Sequence, residues 1–114
     1  MEKKLYNEAF QAYRTKDYDR ALRLLSIFAE QGDPAAQTAL GTIYELGLGK
    51  VPIDLKEAEK WYRLASAQGE GVASNNLGTI ASSQNRKREA AQWYTKARRQ
   101  GFSHSPQTAT SSKR

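Results

Sequence analysis

Cysteine is absent from the 114 residues, and histidine occurs once, as His104. Without a thiol there is no disulfide framework, thiolate zinc site or cysteine nucleophile. A single imidazole nearly removes histidine-based metal binding and acid–base chemistry. No apolar run approaches the roughly 18 residues of a spanning helix. The opening Met-Glu-Lys-Lys leads straight into an amphipathic pattern with no apolar h-region of an export signal. The expectation is a cytoplasmic chain as it stands, or a periplasmic or secreted one if a leader was removed. What is present is a globular mix, 39% hydrophobic and 26% charged. A chain this long makes about one domain and buries roughly two-thirds of its unfolded surface.

The formal charge is +6, unevenly spread. Residues 1–57 hold 8 Lys/Arg and 9 Asp/Glu, a net −1; residues 58–114 hold 10 and 3, a net +7. The excess lies in Arg86, Lys87, Arg88, Lys96, Arg98, Arg99, Lys113 and Arg114. A basic end can bind nucleic acid, anionic lipid or an acidic partner, and a solvated helix face plus a tail is the plainer reading.

Internal repeats organise the chain. Ala58-x-x-Trp61-Tyr62-x-x-Ala65-x-x-Gln68-Gly69 returns 32 residues later as Ala90-x-x-Trp93-Tyr94-x-x-Ala97-x-x-Gln100-Gly101. A looser copy, Ala21-x-x-Leu24-Leu25-x-x-Phe28-x-x-Gln31-Gly32, lies 37 residues earlier. Leu40-Gly41-Thr42-Ile43 returns as Leu77-Gly78-Thr79-Ile80, again 37 apart. The chain is three copies of one unit, over about 3–32, 33–69 and 70–101.

Each unit reads as two helices. Gly32 closes a helix in the left-handed conformation, Asp33 caps the next, and Pro34 fits its first turn. Gly-Leu-Gly-Lys-Val-Pro-Ile, residues 47–53, cannot continue a helix, and Asp54-x-x-Glu57 resembles a capping box. Lys16-Asp17-Tyr18-Asp19 and Asn85-Arg86-Lys87 are the corresponding turns of the other units. Six helices are expected, near 3–15, 18–31, 34–46, 54–68, 72–83 and 87–100, and no strands, since no run alternates in polarity. Gly41 and Gly78 sit inside helices at a cost of about 1 kcal/mol each. That cost makes sense where a partner helix crosses closely, with Ala58 and Ala90 as its small residues. Leu22, Leu25, Leu40, Ile43, Tyr44, Trp61, Tyr62, Leu64, Leu77, Trp93 and Tyr94 are the expected core between stacked pairs.

The central copy, from Asp33-Pro34 through Gln37, Leu40-Gly41, Tyr44, Gly47-x-Gly49-x-Val51-Pro52, Asp54-x-x-Glu57-Ala58, Trp61-Tyr62 and Ala65 to Gln68-Gly69, closely resembles the Sel-one-like repeat. That family is the longer-looped relative of the tetratricopeptide repeat. The third copy lacks the Gly-x-Gly-x-Val-Pro loop and is tetratricopeptide-like in length. The first keeps only Ala9, Tyr13, Ala21 and Gln31-Gly32, like the opening pair of small bacterial members. The resemblance covers residues 5–101. It implies an all-α, right-handed superhelix of three antiparallel helix pairs that works as a binding scaffold, with no catalytic residue and no cofactor.

Several residues suggest chemistry that their context denies. Gly47-Leu-Gly49-Lys50 lacks the spacing and the preceding strand of a phosphate-binding loop. His104 lies in a polar tail, 102–114, of a composition expected to be disordered. Glu57 and Glu59, two apart on a helix, point in different directions and are no acid–base pair. Trp61-Tyr62 and Trp93-Tyr94 recur at equivalent positions, which makes them packing residues rather than stacking platforms.

Aligning Ala9 with Gly41 and Gly78 places Tyr6, Asn7, Phe10, Tyr13 and Arg14 on the inner face of the first helix. Thr38, Thr42 and Glu45 are their counterparts in the second copy, and Asn75, Asn76, Thr79 and Ser82 in the third. By resemblance, these faces line a concave groove that binds a protein or peptide. Tyr6, Phe10 and Tyr13 could equally cap the open end of the solenoid. The alternative function is nucleic-acid or anionic-surface binding through Arg86, Lys87 and Arg88. The last helix has no capping helix after it, so Lys96, Arg98 and Arg99 either solubilise that face or leave it to pair with another chain.

Overall fold

The computed structural model describes residues 2–103, so His104 and nearly all of the expected disordered tail lie outside the described residues. Among the described residues the chain forms six α-helices and no strand: α1 Glu2–Arg14, α2 Tyr18–Glu30, α3 Pro34–Leu46, α4 Leu55–Ala67, α5 Gly71–Ser83 and α6 Lys87–Arg99. Each agrees with its expected span to within two residues. Consecutive helices pack against one another, and α3 also meets α5 directly, a contact that the even-numbered helices do not match. The odd-numbered helices α1, α3 and α5 form one row of the stack, with α3 and α5 in contact. The molecule is elongated, 47 × 27 × 22 Å, as a helical solenoid must be.

The boundaries follow local chemistry. Asp17, Asp33 and Asp54 cap α2, α3 and α4, each carboxylate accepting a backbone N–H of the first turn. At the three repeat ends the same closure recurs. Gly32, Gly69 and Gly101 take positive φ. The next residue donates back five residues: Asp33 to Phe28, Glu70 to Ala65 and Phe102 to Ala97, at 2.9–3.1 Å. The short turns inside the first and third pairs use Lys16 and Asn85 in the left-handed region. Asn tolerates that region, whereas Lys pays for it. The long loop 47–54 instead folds back onto its own pair. Leu48 N–H donates to Ile43 O and Asp54 N–H to Tyr44 O. Leu48 and Val51 pack against the core.

The capping box at Asp54 is only half made. Asp54 caps Glu57 N–H at 3.1 Å, but its own N–H serves Tyr44. The Glu57 carboxylate instead accepts the Trp61 indole N–H at 3.1 Å and pairs with Lys60 at 2.9 Å. Glu89 and Trp93 repeat that indole–carboxylate bond at 3.2 Å in the third copy.

Alanine dominates the interface between helices: Ala9, Ala12, Ala21, Ala36, Ala58, Ala65, Ala73, Ala81, Ala90 and Ala97 are all buried. Leu25, Leu40, Ile43, Trp61, Tyr62 and Leu77 are buried as expected, with Phe28 and Ile80 beside them. Leu22, Tyr44, Trp93 and Tyr94 are only partly buried. Leu64 is not core: it is 46% exposed. Its counterparts are Ile27, 42% exposed, and Lys96. A position that accepts lysine in one copy is a surface position.

The reason for the helix glycines also differs from the expected one. A Cβ on Gly41 would lie 2.6 Å from Tyr62 Cε1, and one on Gly78 would lie 2.6 Å from Tyr94 Cε1. The glycines make room for tyrosine rings, not for the backbone beside Ala58 and Ala90. In the first copy the same pair is Ala9 and Leu25, a smaller ring-free version.

Candidate binding groove

The twelve residues expected to line the groove fall into three groups. The first borders an open depression of about 1100 Å³ along α1. Tyr6, Asn7, Phe10 and Arg14 line it, together with Lys3, Lys4, Glu8 and Gln11, and with Ala35 from the first turn of α3. Its apolar floor is held firmly. The Tyr6 ring packs edge-on against Phe28, centroids 5.1 Å apart, and tilted against Phe10 at 5.0 Å. The Tyr6 hydroxyl donates to Asp33 Oδ2 at 2.9 Å, the same oxygen that caps Ala36 N–H at 2.8 Å. Tyr6 thus ties α1 to the start of α3. Burial, then the Asp33 carboxylate, push its phenol up from 10.0 to about 12. Arg14 is steadied by Gln11 Oε1 at 3.1 Å, and Glu8 is paired with Arg20 at 3.1 Å.

The second group is centred on Tyr62, whose side chain is buried. Its hydroxyl donates to Glu45 Oε1 at 2.7 Å and lies 3.0 Å from Thr42 Oγ1. Asn76 from α5 also bonds it. A phenol has one proton, and the charged Glu45 is its strongest acceptor. Burial above all raises the Tyr62 pKa. Thr42 also reaches the Tyr13 hydroxyl, and burial raises that phenol too. Tyr13 packs edge-on against Tyr18 at 6.1 Å. Thr38 Oγ1 bonds Pro34 O at 3.0 Å, and Thr42 Oγ1 contacts Thr38 O at 3.1 Å. Thr38 thus turns its proton inward and offers a ligand mainly acceptor capacity.

The third group is looser. Thr79 Oγ1 bonds Asn75 O at 3.2 Å, and Tyr94 OH reaches Thr79 only at 3.5 Å. Ser82, exposed, stands where the second copy has Glu45. Asn75 and Asn76 are half-buried on α5. Only the first group borders the α1 depression; the other two lie along α3 and α5.

At the basic end, the Arg86 guanidinium is committed. It pairs with Glu59 at 3.0 Å and Glu89 at 2.7 Å and bonds Gln84. The Trp93 indole, then Arg86 and Arg63, hold the Glu89 carboxyl below its ordinary pKa. Lys87 and Arg88 are exposed. Among the described residues no cluster of His, Asp or Glu could hold a metal ion. No helix of the described residues is long and apolar enough to cross a membrane.

The sequence reading missed two features. Lys3 and Lys4 lie one turn ahead of Asn7 on the same helix face, a spacing that the sequence displays. The glutamines of the Gln-Gly repeat ends clamp neighbouring copies together. Gln68 Nε2 donates to Gly32 O at 2.9 Å and to Gln37 Oε1 at 3.0 Å, while buried Gln37 donates to Ala29 O. Gln100 Nε2 reaches Ser66 O at 2.9 Å, and Ser74 bonds its carbonyl end. Their recurrence beside glycine was the signal.

Stacked antiparallel helix pairs, closed by Gln-Gly and glued by Gly–Tyr contacts, define a helical-repeat solenoid of the tetratricopeptide-like class. The Sel1 repeat family model matches residues 6–33, 34–70 and 74–102, most of the chain. The chain belongs to the Sel1 repeat family. Sel1 repeats are generally protein-interaction scaffolds and are typically non-enzymatic. No curated protein and no solved structure matches the chain at a significant level.

Proposed function

We propose that the chain is a non-enzymatic adaptor that binds a protein or peptide along the inner row of α1, α3 and α5. The observation that carries this reading is the α1 depression. Half-buried aromatic rings lie open in it beside amides and charges, and aromatic residues commonly anchor protein interfaces. The rest of the inner row supplies hydroxyl and amide groups suited to an extended backbone. The basic end supports a competing reading less well, because Glu59 and Glu89 already occupy Arg86.

The test is site-specific crosslinking. A photoreactive residue at exposed Asn7 should capture a partner in the cells of origin, and one at exposed Lys87 should not. Capture at Lys87 alone would move the interface to the C-terminal end.

A further inference from the structure

Resting on that reading, we infer that the segment seated along α1 is an acidic peptide with a bulky apolar side chain between its carboxylates. The lining of the depression is cationic. Lys3, Lys4 and Arg14 border it, against a single carboxylate, Glu8. That carboxylate is already neutralised by Arg20 at 3.1 Å. Nearby Asp33 is spent on the Tyr6 hydroxyl and the α3 N-terminus. Farther along the inner row, α3 carries one charged residue, Glu45, and α5 carries none. Glu45 accepts the Tyr62 proton at 2.7 Å. The lining of the depression is thus net positive, with Glu2 and the α5 N-cap Glu70 standing near Tyr6 at its border.

The positions of the charges also limit the ligand. Lys4 and Arg14 are separated by ten helical residues, or about 15 Å of axis at the rise of an α-helix. An extended peptide covers that span in about four to five residues. Tyr6 and Phe10 lie between the two cations along the helix axis, and all four residues line the same depression. The matching segment therefore has carboxylates about four to five positions apart, with an aromatic or long aliphatic residue between them. The chain's own C-terminal residues are the wrong occupant by charge, since they end in Lys113-Arg114 and hold no Asp or Glu.

Fluorescence anisotropy on the full chain tests this with short labelled peptides. One has Trp between Glu residues at that spacing; matched peptides carry Ser or Lys in place of Glu, or Ala in place of Trp. The Glu/Trp peptide should bind most tightly and weaken with salt, since such charges are screened beyond about 10 Å. Lys4→Glu with Arg14→Glu should weaken it at least about tenfold, as loss of charge complementarity does. Phe10→Ala should do likewise, and Phe10→Leu should retain binding if the alanine variant fails to fold. Lys87→Glu should change nothing. Equal binding of the Lys-flanked peptide, no effect of the α1 charge reversals, or no binding of the Glu/Trp peptide would each overturn the proposal. So would tighter, α1-dependent binding of phosphatidylserine vesicles or a single-stranded oligonucleotide. If the acidic peptides fail while Asn7 still crosslinks a partner, the groove stands and only the acidic class falls.

Discussion

Tyr62 illustrates how one residue sets several features at once. Its ring fills the space that Gly41 leaves, and its hydroxyl gathers Thr42, Glu45 and Asn76 from two inner helices. Alanine at an exposed helical glycine normally stabilises by about 0.5–1 kcal/mol. Gly41→Ala should do the opposite and cost about 1–3 kcal/mol, because an added methyl overpacks a ring that cannot move. Gly78→Ala should cost less, since Tyr94 is only partly buried and can give way. Urea unfolding of both variants measures this; stabilisation by both would show that the glycines are not there for the rings. The glycines were visible in the sequence as a cost needing a cause, and their repeat made the close approach legible. The tyrosine partner was not, because choosing between Ala58 and Tyr62 requires knowing which way α4 is rotated. Alkaline pH reads the same residue. Below pH 10.0 both folded and unfolded tyrosines are protonated. Above it the unfolded chain ionises, while Tyr6, with its pKa near 12, and the still more buried Tyr62 hold their protons. The folded state then binds more protons, so stability should fall from about pH 10 to about pH 12. The fall should be shallower in Tyr62→Phe, measured as urea midpoint against pH; an unchanged slope would mean that Tyr62 titrates normally.

At the scale of elements, helix boundaries were the most legible feature, because Asp caps, Gly ends and Pro34 are local signals. Leu64 shows where local reading stops. An apolar residue three places after a tryptophan looks like core, yet its equivalents Ile27 and Lys96 share an outward position. The Gln-Gly ends also carry more than a stop signal. Gln68 spans 36 residues to hold the end of α2. Gln68→Ala leaves the buried Gln37 carbonyl without its donor and should cost about 1–2 kcal/mol in stability. A Gln37→Ala, Gln68→Ala double variant should lose less than the sum of the singles, since the two share one network. Strict additivity would mean that the clamp is an exposed contact of no energetic weight.

The molecule as a whole depends on contacts between copies, since no pair buries its own face. Trp61 belongs to the second copy but packs in the cluster built on α1, α2 and α3. Trp61→Ala should therefore cost about 3–5 kcal/mol, as large-to-small core changes do, and should do so in a single cooperative transition. A loss under about 1 kcal/mol would place Trp61 on the surface in solution, against its 8% exposure. The sequence offered the twelve groove candidates as a list of residues, and of these only Tyr6, Asn7, Phe10 and Arg14 line the α1 depression. Which of them share a depression depends on the tilt of α1 against α3, and that tilt is held by the Tyr6–Asp33 bond. No local pattern announces a hydrogen bond across 27 residues. The central claim is that this surface binds the partner. Titration calorimetry with the partner that Asn7 captures tests it most directly, with circular dichroism on each variant. Phe10→Ala should weaken binding at least about tenfold, or about 1.4 kcal/mol, while keeping its helical content. An unchanged affinity per folded molecule, with only the melting temperature lowered, would make Phe10 a mere cap on the end of the solenoid and contradict the account.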